Sequence, residues 1–249
     1  MLSNQEFRNE LESVLNSRLT LDHPILLGAG KAEKNLPLIR KMALQGFQLT
    51  KVFARYVAML YYHCPLPEFS YRLAVNLYEE ETGMLSKTQN HLKLMKRFIF
   101  ALGVTPEELE AELALPSTED LIEYRRRLCA DPATLHMGAA AVMVASEGQN
   151  LEKKAGSSRH ELIARLYGLK VEDLAFFSVH AEEDVYHVAD GLDMVTALCV
   201  TSKMQQEAIT AVNETCDRFW RFYDGIQQAY EADLSKSRDV ERSHAAIAI

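Results

Sequence analysis

Apolar residues recur every three to four positions along helix-length stretches of this chain, and no run alternates apolar and polar residues for long enough to suggest a sheet. Residues 3–19 carry Phe7, Leu11, Val14 and Leu15 on one side of a first amphipathic helix. Residues 20–37, TLDHPILLGAGKAEKNLP, read as a connecting loop. A long helix is predicted from Leu38 to about His63; it is apolar on more than one side, which places it centrally, and Pro65 and Pro67 end it. A further helix over 68–81 closes at Gly83, and TGMLSKTQN (82–90) is a loop by composition. His91 opens a helix that Gly103 stops. Thr105-Pro106-Glu107-Glu108 starts a short one, with Thr as cap, Pro in the first turn and acids at the positive end. Another helix runs from Ser117 or Thr118 to about Ala130. Asp131-Pro132 begins the next, whose middle is small and apolar from Gly138 to Ala145 before Glu147. His160–Tyr167, Lys170–Leu198 and 201–232 complete the set, with 234–249 as a weakly structured tail. The expectation is an all-α, single-domain helical bundle spanning residues 1–249.

Composition narrows the class. A chain of 249 residues with 48% hydrophobic and 25% charged residues is ordinary for a globular protein. A net charge of −8 argues against nucleic acid or an anionic membrane as partner. No run of about 18 apolar residues is present, so no membrane span is expected. The polar N-terminus lacks the apolar core of a secretory signal. Cys64, Cys129, Cys199 and Cys216 are widely spaced and read as reduced, which suits a cytoplasmic protein.

Candidate chemistry lies in polar residues set on apolar helices. His180, Asp184 and His187 stand at i, i+4 and i+7, offsets of about 40° and −20° around a helix, so the three leave one face. That run alone leaves a metal site and a solvated helix face equally open. Glu147 ends a stripe of small apolar residues, where a carboxylate needs a partner. Glu79, Glu80 and Glu81 sit at a helix C-terminus and oppose its dipole, which points to a solvated end or a nearby cation. Glu81 and His91 flank one loop. Glu81, His91, Glu147, His180, Asp184 and His187 make three carboxylates and three imidazoles, a set that fits two divalent irons. A single zinc needs only three or four ligands, and calcium or magnesium prefers oxygen alone. A ferritin-like site expects Glu-x-x-His on two helices, but the chain has it only at Glu241 to His244. His23 and His63 sit beside prolines at element ends, and His136 reads as a packed core histidine.

The run NLYEEETGMLSKTQNHLKLMKRFIFALG, Glu147 in ASEGQN, and HAEEDVYH resemble the metal motifs of the heme-oxygenase-like di-iron oxidases, over roughly residues 38–225. These belong to a superfamily with heme oxygenase, the thiaminase-like proteins and the pyrroloquinoline quinone synthase. The resemblance implies iron ligands at Glu81, His91, Glu147, His180, Asp184 and His187. For the first carboxylate, a continuous helix would turn Glu80 toward His91; Gly83 breaks it, so Glu81 is preferred. The resemblance further implies two Fe(II) ions, O2 as co-substrate and an external reductant or electron-donor partner. The substrate would be small, amino-acid-like or fatty-acid-like, oxidised by N-oxygenation or carbon–carbon cleavage in a biosynthetic pathway. A homodimer is left open. One branch, that of the Chlamydia death-domain-associating protein, implies para-aminobenzoate made from the protein's own tyrosine and lysine, for which Tyr78, Tyr186, Lys153 and Lys154 are candidates. A thiaminase-like hydrolase would need a cysteine nucleophile, for which no cysteine has a setting. A heme protein would need a histidine on the first helix, and residues 3–19 have none. A metal-free helical interaction protein is the remaining alternative.

Overall fold

Capping chemistry decides where most of the helices begin. In the computed structural model, residues 1–29, 34–149 and 159–247 are described, with side chains for 1–28, 34–149, 162–181 and 186–236. Helix α1 (Asn4–Ser17) starts in a reciprocal capping box between Ser3 and Glu6 and buries Phe7, Leu11 and Leu15 one turn apart. Helix α2 (Pro24–Ala29) occupies part of the stretch expected as loop. Its start is held by the His23 ring, whose Nδ1 accepts the Ile25 N–H at 3.2 Å, a local bond that no apolar pattern announces.

The long helix α3 (Leu36–His63) is capped by Asn35, and α4 (Pro67–Thr82) begins on a proline already suited to the first turn. Gly83 ends α4 in the left-handed region at φ 66°. A Cβ there would stand 2.3 Å from the Gln89 carbonyl oxygen, so only glycine allows the loop to fold back this closely. Helix α5 (His91–Ala101) is capped by Asn90, α6 (Pro106–Ala111) by a Thr105–Glu108 box, and α7 (Pro116–Ala130) comes next. Helix α8 (Leu135–Ala139) passes directly into a π-helical segment, Ala140–Ser146. Helices α9 (Arg159–Tyr167), α10 (Ala175–Leu198) and α11 (Ser202–Ile247) complete the order. Where one helix was expected from Lys170, a 3₁₀ turn over Val171–Leu174 precedes α10. The α11 backbone stays helical through Ile247, beyond the end expected near residue 232. No strand occurs among the described residues.

The π segment is the centre of the core. Ala140 through Ala145 are buried together with Tyr56, Val57 and Leu60 of α3, Leu192 and Val195 of α10, and Ala208, Ala211 and Val212 of α11. Its small residues let neighbours come close. Gly191 of α10 packs so near that a Cβ would lie 2.5 Å from the Met143 carbonyl oxygen. Among the described residues, no single helix is long and apolar enough to cross a membrane.

Candidate metal centre

Four stretches of chain, on α4, α5, the π segment and α10, bring donor groups into one space. The first is the C-terminal half of α4. Its inward stripe is Phe69, Leu73, Asn76, Glu79 and Glu80, all buried. The second is the start of α5, where the Asn90 cap fixes the first turn and buries His91. Glu80, His91 and half-buried His180 of α10 offer ligand atoms that all lie within 4.8 Å of one another. Glu80 Oε1 is 2.9 Å from His91 Nδ1.

The structure places Glu80, rather than the preferred Glu81, beside His91. Gly83 does end the helix, as expected, but the last turn of α4 is regular up to that point. The stripe set by Phe69, Leu73 and Asn76 therefore carries on to Glu80, and Glu81 falls on the exposed side.

The third stretch is the end of the π segment. A π turn accommodates an extra residue and rotates the next residues around the axis. Here it delivers Glu147, whose N–H still donates to the Val142 carbonyl, into the buried space with only 2% of its surface exposed. Two bonds hold the bulge from outside: Ser146 Oγ donates to the Ala141 carbonyl at 2.8 Å, and Arg125 Nη1 donates to Ser146 Oγ at 3.2 Å. The Glu147 carboxylate accepts from Asn76 Nδ2 at 3.4 Å and stands 3.4 Å from His187 Nδ1. Burial pushes this carboxyl up, but the hydrogen bond and charge of His187, the charge of His180 and the Asn76 amide outweigh it, so the pKa falls below the ordinary value.

Helix α10 supplies both His180 and His187, two turns apart on one face. His180 Nδ1 lies 2.6 Å from the Phe176 carbonyl. A carbonyl can only accept, so Nδ1 carries the proton and the Nε2 lone pair is left for another partner. Burial, and then the neighbouring His91, lower the His180 pKa and favour the neutral ring that a metal requires. The Phe176 ring packs on both imidazoles, at 4.3 Å from His180 and 6.4 Å from His91 between centroids. The Asp184 side chain lies outside the described residues, as do those of Lys153 and Lys154.

The donor set fits a transition metal. Bonds to imidazole nitrogen and carboxylate oxygen are about 2.0–2.2 Å, so two atoms on one metal stand up to roughly 4 Å apart. The Glu80, His91 and His180 atoms are nearly that close. Buried carboxylates beside imidazoles are a mixed N/O set suited to iron.

Three other histidines among the described side chains are engaged elsewhere. His23 Nε2 meets Asp224 at 3.2 Å, His63 Nε2 meets the Ala130 carbonyl at 3.2 Å, and His136 Nε2 meets Glu207 at 3.1 Å. Cys129, Cys199 and Cys216 are buried, and burial pushes each thiol up to about 12, which leaves no ready nucleophile among them. Asn76, Glu79 and Phe176 also belong to the centre, and residue type and spacing alone do not single them out. The available signal is their position: Asn76 stands one helical turn before Glu80, Phe176 one turn before His180, and Glu79 within a run of three acids.

Beside this centre is a cavity of about 20 Å³, lined by Asn76 and His187 and by the apolar Leu73, Met143 and Met194, room for a molecule the size of water or O2. Arg72 and Asp190 also line it, paired at 2.6 Å.

Comparison with known proteins converges on the same chemistry. A family model described as iron-containing redox enzyme matches residues 40–220. Over 243 residues the chain is 30% identical to a 4-aminobenzoate synthase of Nitrosomonas europaea, covering 94% of this chain and 96% of the relative. Over 220 residues it is 26% identical to a 4-aminobenzoate synthase of Chlamydia trachomatis, covering 88% of this chain and 91% of the relative. A solved domain with a heme oxygenase-like fold from Shewanella denitrificans matches with a TM-score of 0.73 at 17% identity, over 94% of this chain and 96% of that one. That likeness shows the fold.

Proposed function

Because the chain belongs to the family of iron-containing redox enzymes, we propose that it is a two-iron oxidase that consumes O2 and forms 4-aminobenzoate. The observation that carries the nuclearity is the pairing of two donor groups in one buried space, Glu80–His91–His180 and Glu147–His187. In this reading Glu80, His91, Glu147, His180, Asp184 and His187 hold the irons, and Glu81 does not. Iron bound by these residues would supply O2 activation, with O2 as the oxidant, and an external donor would return the electrons. The printed names of the two curated relatives support the product.

The chain's own residues do the rest. Asn76 orients the Glu147 carboxylate, and the Phe176 carbonyl keeps the His180 proton on Nδ1. Phe176 and the buried apolar wall exclude bulk water, which strengthens each charge interaction inside. The small cavity at His187 is the approach for O2.

A second reading concerns the source of the carbon. Tyr78 and Tyr186, the tyrosines considered for self-supply, are 48% and 73% exposed, outside the buried centre. Their exposure counts against these two tyrosines as the source, and an external amino-acid-like substrate is the alternative. The test is to load the protein with Fe(II) anaerobically, add O2 and a reductant, and assay 4-aminobenzoate by mass spectrometry. The reading expects O2-dependent 4-aminobenzoate. With no added substrate, product capped at about one per chain, together with a lower protein mass, would mean self-supply; repeated turnover on an added precursor would mean an external source. No 4-aminobenzoate under either condition would overturn the product assignment.

A further inference from the structure

Glu79 is buried, with 2% of its surface exposed, and lies beside the centre on the other side of His91 from Glu80. The two ring nitrogens of His91 thus have different neighbours. Nδ1 is 2.9 Å from Glu80, whereas Nε2 is 3.6 Å from Glu79 Oε1, just beyond hydrogen-bonding reach. Glu79 is itself tightly held. Its Oε2 accepts the Leu85 N–H at 2.7 Å and the Ser86 N–H at 3.3 Å, and its Oε1 accepts the Ser86 hydroxyl. The turn that presents these donors is closed by Thr88 N–H to the Gly83 carbonyl at 2.8 Å and by Ser86 against Thr88. It exists because Gly83 takes up the left-handed conformation. A carboxylate fixed by three donors at a helix C-terminus is costly for α4 alone, because it opposes the helix dipole. A carboxylate–histidine–metal relay would account for its position, since ligating histidines donate their second N–H to such a group.

We propose that Glu79 is the positioning residue of the centre: it accepts the Nε2–H of His91, so that Nδ1, beside Glu80, is the nitrogen presented to metal. The inference rests on the two-iron reading above. It divides the three consecutive acids by role: Glu79 orients, Glu80 ligates, and Glu81 is solvated.

The test uses Co(II) as probe, with metal counted by equilibrium dialysis and the imidazole–Co(II) absorption recorded, on the full chain and the variants E79A, E79Q, S86A and E80Q. Melting temperatures of the metal-free proteins confirm that each variant folds. E79A should still take up two Co(II) per chain, with one bound about 10–100-fold more weakly and with an altered absorption band. E79Q, whose amide oxygen can still accept from His91, should recover most of that loss. S86A should weaken the same metal by about fivefold. E80Q should lose one metal outright. Glu79 is not a positioning residue if E79A binds both metals as the wild type does, or if it loses one metal as completely as E80Q, which would make it a ligand. Wild type binding no Co(II) would remove the two-iron reading and this inference with it, an outcome distinct from either failure of the variants.

Discussion

Changing Glu147 to Gln is expected to leave a folded chain that has lost one iron and whose O2-dependent product formation falls at least about 100-fold, beyond the range of outer-shell changes. The substitution keeps shape and volume. Asn76 can still pair with the amide oxygen, and the Ser146–Arg125 bonds that hold the bulge are untouched. What disappears is the negative charge that faces both His187 and His180. The remaining carboxylates of the proposed set, Glu80 and Asp184, balance less of the charge of two divalent ions in a buried space. Iron counting, product assay and thermal melting on the same sample separate the effects. Loss of iron with an almost unchanged melting temperature is the expected pattern. Full iron content would remove Glu147 from the ligand set.

Gly191→Ala is expected to be strongly disruptive in the core, costing about 3 kcal/mol. The added Cβ would stand 2.5 Å from the Met143 carbonyl oxygen and 2.7 Å from its carbon, and both belong to backbone. A flexible side chain could swing aside, but here α10 or the π segment must move. Those elements carry His187 and Glu147, 3.4 Å apart, so the strain goes straight to the centre. The melting temperature should drop by on the order of 10 °C, and the iron next to His187 should bind more weakly. A variant that melts like the wild type would mean that the helices separate more easily than this packing implies.

The helices were readable where local chemistry marks them. Ser3, Asn90 and Thr105 cap, Pro67 and Pro106 start, and Gly83 and Gly103 stop. The apolar period carries the rest, because a buried stripe is also what the core requires. The burial of Glu80 rather than Glu81 was readable too, by counting from Phe69 and Leu73 along the stripe rather than reasoning from the break at Gly83. The π segment was not readable. In a run of small apolar residues every phase is apolar, so a shift of register leaves no trace in the sequence, and Ser146 and Arg125 reveal it only once they are seen bonded. The coming together of Glu147 with His187, forty residues later, could be inferred from ligand chemistry but not from any local pattern. Helix α2 was hidden for another reason: its cap is a histidine ring, not one of the usual capping side chains.

The central claim is that these side chains form one centre for two irons. Its most direct test is an anaerobic Fe(II) titration of the metal-free chain, with bound iron counted and the reduced sample then mixed with O2 in a rapid-scanning spectrometer. The expected result is two irons per chain and a transient visible band that depends on O2 and is absent from the Glu147→Gln variant. Fewer than one tightly bound iron per chain, with no O2-dependent band, would contradict it.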